Sequence, residues 1–298
     1  MENESRDPSQ HSAAEQLRSY EDVRNRVTLQ GPSRAFALLM LWGAVVLAVY
    51  VGVFLFSFGG RPVDEVASGA GGFSYTGILL FPVLIFSSLV SGARERFGIR
   101  TKPAPGYWIA DGLIIAGFMT LAGLSIAGVS YPWRLNLLVA VAIFLTMAAG
   151  PIRQLRRATT LNPDRWMNEP LSRPARWSTA LIGATAGLLA ATSTLAWFPI
   201  VGATVMMALV VVLGGWRARW GLPRTGYEWG PIHWAAFGIA VGVLFLLTVL
   251  LSRTGWITTP ISVATGVLVL FVMLIASFLP TRSRGRQVAH GSPTTPTG

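Results

Sequence analysis

"AFALLMLWGAVVLAVYVGVFLFSF" fills Ala35–Phe58 without one charged side chain. A helix needs about 20 mostly apolar residues to cross a bilayer, and this run meets that length. Seven more apolar runs follow, at Phe73–Ala93, Tyr107–Val129, Trp133–Gly150, Trp177–Trp197, Phe198–Trp216, Trp234–Leu251 and Ile257–Leu279. Only "SYPW" parts the third from the fourth, and a turn around Pro199 parts the fifth from the sixth. Each joined pair would be about 40 residues, too long for one crossing, so both pairs divide. The expected fold is an all-α, polytopic integral membrane protein with about eight transmembrane helices.

The composition supports that class. Of 298 residues 52% are hydrophobic and only 12% are charged, about half the charged share of a soluble domain. A soluble chain of this size would need far more polar surface over its core. The formal net charge of +11 would point to nucleic acid in a soluble protein. In a membrane protein it holds loops on the cytoplasmic side and meets anionic headgroups. The expected partners are therefore a lipid bilayer with anionic headgroups and, as an open alternative, a cytoplasmic or membrane protein, with no nucleic acid. Cysteine is absent, which excludes disulfides and thiolate chemistry. Lys102 is the only lysine among 24 basic residues. Together with the Ala-, Val- and Gly-rich runs, this points to a GC-rich bacterial genome and a plasma (inner) membrane.

Charge sets the orientation. With the N-terminus in the cytoplasm, the inner segments hold 21 of the 24 basic residues. The outer loops hold three, Arg61, Arg134 and Arg253. A wrong span count would scramble this alternation, so the split predicts eight spans with both termini cytoplasmic. Residues 1–33 read as a retained cytoplasmic tail. Within it "SAAEQLRSYEDVRNRV" is open between a short amphipathic helix, on the membrane or docked on the protein, and disorder. Residues 282–298 read as a disordered tail.

Two inner loops share a pattern. "RERFGIRTKPAPGYW" joins runs two and three at Arg94–Trp108, and "RARWGLPRTGYEW" joins runs six and seven at Arg217–Trp229. Equivalent loops follow if the chain is two parallel four-helix units, at 34–153 and 176–281, with a proline-bearing linker at 154–175. In this reading Arg94 and Arg96, then Arg217 and Arg219, stop helices at the membrane border and touch lipid phosphates. A following glycine, Gly98 or Gly221, supplies a left-handed turn. A docking site for a soluble partner is the competing reading. Small residues recur every fourth position in runs one, three, five and seven, which predicts that the odd helices pack centrally. Most tryptophans are expected in an interfacial belt.

Candidate chemistry is sparse. Asp111 is the only acidic residue inside an expected span. It reads as a proton or cation site, as an ion-pair partner, or more simply as a first-turn carboxylate favoured by the helix dipole. Glu228 and His233 are the one carboxylate–imidazole pair near a span; the residue types allow a metal or acid/base role, and more simply His233 reads as an interfacial side chain. No HExxH, GxSxG or nucleotide-binding glycine loop is present, and no cofactor is expected. The expectation is a non-catalytic membrane anchor, sensor or assembly partner. The alternative is a permease, or a transporter subunit powered by another chain, for which Pro82 in run two and hydroxyl-rich run five argue.

Overall fold

The structure is a computed structural model that describes residues 34–58, 75–97, 105–129, 131–157, 170–215 and 221–280. Among these residues all regular secondary structure is helical. The helices are α1 (Arg34–Phe58), α2 (Thr76–Phe97), α3 (Pro105–Ile126), α4 (Arg134–Arg157), α5 (Arg173–Thr192), α6 (Phe198–Gly214), α7 (Leu222–Glu228), α8 (Pro231–Arg253) and α9 (Thr259–Phe278). Every apolar run in the sequence lies on a long helix, because a helix is the one open-ended way to satisfy backbone amides in hydrocarbon. Among the described residues five helices, α1, α2, α4, α8 and α9, are long and apolar enough to cross a membrane, which is consistent with a helical membrane protein.

Local sequence places the ends. Proline stands in the first turn of α5, α6, α7, α8 and α9, where its missing amide costs nothing. Gly128, at φ 68°, stops α3 in a left-handed turn. The Val129 amide then donates to the Leu124 carbonyl at 3.0 Å and the Gly128 amide to Ser125 at 3.2 Å. This turn parts α3 from α4, and Ser193–Trp197 parts α5 from α6. Pro151 does not end α4, which continues past Gly150 to Arg157. Pro82 likewise sits inside a continuous α2. α7 was not expected as a helix.

The most extensive helix contacts are α5 with α9 and α1 with α4. The α5–α9 crossing follows from glycine. A Cβ at Gly187 would lie 2.6 Å from the Gly266 carbonyl, and one at Gly266 would lie 2.7 Å from Ala191 Cβ. Ser262 Oγ reaches across to the Ala190 carbonyl at 2.6 Å. On α1, Ala44 and Ala48 are buried and Gly52 faces Ala140. The expectation that all odd helices pack centrally fails for α3. A Cβ at its Gly112 would meet nothing within 4 Å, and Leu113 is exposed. Instead α2 is central, and it shares the main core with α5, α6, α8 and α9. A second, smaller core joins α1, α3 and α4.

The helix ends fall into two groups. At one end Phe36 of α1 meets Phe97 of α2 at 5.3 Å between ring centres. There the Arg176 guanidinium of α5 also lies over Phe278 of α9. At the opposite end Arg253 of α8 donates through Nε and Nη2 to the Phe56 carbonyl of α1. Tyr75, just before α2, meets Phe198 of α6, and Asn136 of α4 donates to Leu55 of α1. Long helices consecutive in the chain therefore alternate in direction, while the packed pairs α1 with α8 and α2 with α6 run parallel. Trp133, Trp177, Trp197 and Trp256 are exposed near helix ends, as an interfacial belt requires. Trp234 is not part of it, being only 5% exposed.

Candidate functional site

The polar residues of the second loop build a clasp at the end marked by Phe36 and Phe97. It starts from two glycines. Gly92 on α2 and Gly226 on α7 have no side chains, so α7 lies directly across α2. A Cβ on Gly92 would overlap the Pro223 carbonyl, and one on Gly226 would overlap the Leu89 carbonyl. This approach delivers the last carbonyls of α7 to Arg96. Arg96 is 7% exposed, and its Nη1 donates to Tyr227 at 2.9 Å and to Trp229 at 3.4 Å. The guanidinium also lies 5.9 Å from the Tyr227 ring centre. A cation here satisfies carbonyls that a helix C-terminus leaves without partners.

Glu228 makes the second arm. Its carboxylate accepts from the Ser172 amide at 2.9 Å, from Ser172 Oγ at 3.0 Å and from Arg224 Nε at 3.2 Å. Ser172 is the N-cap of α5, with its Oγ accepting from the Ala175 amide. Glu228 therefore ties α7 to the positive end of α5, where a carboxylate is favoured.

Trp229 makes the third arm. It is completely buried, and its Nε1 donates to Thr179 Oγ1 of α5 at 2.8 Å. Its ring meets Trp234 edge-on at 5.1 Å and lies nearly parallel to the His233 ring at 6.2 Å. His233 Nδ1 accepts from the Gly230 amide at 3.2 Å, which caps α8. Its Nε2 is buried with no hydrogen-bond partner among the described residues.

The residues singled out by sequence thus have different fates. Arg96, Glu228 and His233 join one assembly, but Glu228 and His233 serve different helices and do not bond each other. His233 is fully buried rather than interfacial, because Trp229 covers it. Arg94 is exposed and Arg96 is buried. Gly221 does not form a left-handed turn. At φ −60° and ψ 149° it is the N-cap of α7. Arg217, Arg219 and Gly98 lie outside the described residues, as does the side chain of Asp111, whose backbone is part of α3. The two loops also diverge. Gly106–Trp108 belongs to the long α3, whereas Gly226–Tyr227 belongs to the separate α7.

Sequence reading missed Trp229, Thr179 and Ser172. The available signal was "GYEWGP", a tryptophan just before a Gly-Pro helix start. Among the described residues no group of three or more His, Cys, Asp or Glu could hold a metal. The bonds of Arg96, Glu228 and Trp229 each join α7 or the turn after it to α2 or α5, and the Trp229 ring packs on α8, so the clasp ties these helices together. Comparison of the chain with protein-family models, with curated proteins and with solved structures found no match.

Proposed function

We propose that the chain is a non-catalytic, multi-pass bacterial plasma-membrane protein that acts as an anchor, sensor or assembly partner. The observation that carries this reading is the clasp. Arg96, Glu228 and Trp229 bond to backbone and side chains of neighbouring helices. Polar groups in a membrane protein usually mark a substrate path or a reaction centre, and these hold the bundle together. The reading places eight crossings, both termini in the cytoplasm and the clasp at the cytoplasmic border. The alternating helix ends and the 21 to 3 distribution of basic residues support it. Two parallel four-helix units are supported by a common order of packing. The first helix of each unit packs mainly on its fourth, α1 on α4 and α5 on α9. The third also packs on the fourth, α3 on α4 and α8 on α9.

One observation favours a permease as the second reading. A cavity of about 390 Å³ lies between α2, α5 and α6, lined by Phe81, Ile85, Ser178, Thr185 and Val205. It combines hydroxyls with the proline-bearing α2. The two readings separate in one experiment. Membranes are solubilised gently for native mass spectrometry, and the purified protein is assayed for solute exchange in liposomes. The assembly reading expects a stoichiometric complex and no exchange. Exchange that is lost on Thr185→Leu would overturn it in favour of the permease.

A further inference from the structure

We draw no further inference here: the strongest candidate, the hydroxyl cluster of Ser193, Thr194, Thr259 and Ser262 where the end of α5 meets the start of α9, closes its hydrogen bonds within itself and on the Ala190 carbonyl, so nothing in the structure points to a ligand it would take.

Discussion

Arg96 shows what a single residue does in this protein. Its charge is buried, but it meets carbonyls that would otherwise lack donors. Arg96→Gln should therefore lower stability by about 2 kcal/mol, the value of a hydrogen bond to a charged group. Arg94→Gln, two residues away and exposed, should stay within about 0.5 kcal/mol of wild type. Thermal unfolding of the two variants in detergent checks the contrast, and equal losses would contradict the clasp. The sequence displayed both arginines as one motif. It could not show which was buried, because that depends on α7 crossing α2. His233 was opaque for the same reason. Its cover, Trp229, lies only four residues away, but it reaches His233 because the chain turns between α7 and α8.

At the scale of elements, glycine sets how closely helices approach. α7 is a helix of seven residues, too short to persist alone in water, so it depends on its seat on α2. Gly226→Ala should unseat it, since the new Cβ would overlap a backbone carbonyl that cannot rotate away. Gly112→Ala meets nothing within 4 Å and should stabilise α3 by about 0.5–1 kcal/mol through backbone entropy. Opposite signs for one chemical change, read from two unfolding curves, are the expected result. Gly187→Leu should separate α5 from α9, because this crossing has backbone on both sides. Loss of the folded wild-type peak in size-exclusion chromatography would report it. The long helices were legible from apolar length, and the fourfold small-residue spacing located the α5 and α1 crossings. The same spacing misled on α3, because spacing marks a face able to pack and does not supply a partner. α7 was hidden because a short proline- and glycine-bearing segment reads as a turn.

At the scale of the whole molecule, the account is an alternating bundle with its clasp and most of its arginines at one border. Apolar length made the helices legible without tertiary information, and the single border for the arginines is the expectation that charge distribution sets. The pairing of α1 with α4 and of α5 with α9 was not legible, because the runs do not encode which neighbours they choose. The most direct test uses single cysteines, which this cysteine-free chain permits. Ser68→Cys, Ser130→Cys, Thr101→Cys and Ser292→Cys are made separately and treated in intact cells with a membrane-impermeant thiol reagent. The account predicts labelling of Ser68→Cys and Ser130→Cys, and protection of Thr101→Cys and Ser292→Cys until the membrane is permeabilised. Labelling of Thr101→Cys or Ser292→Cys in intact cells would contradict it.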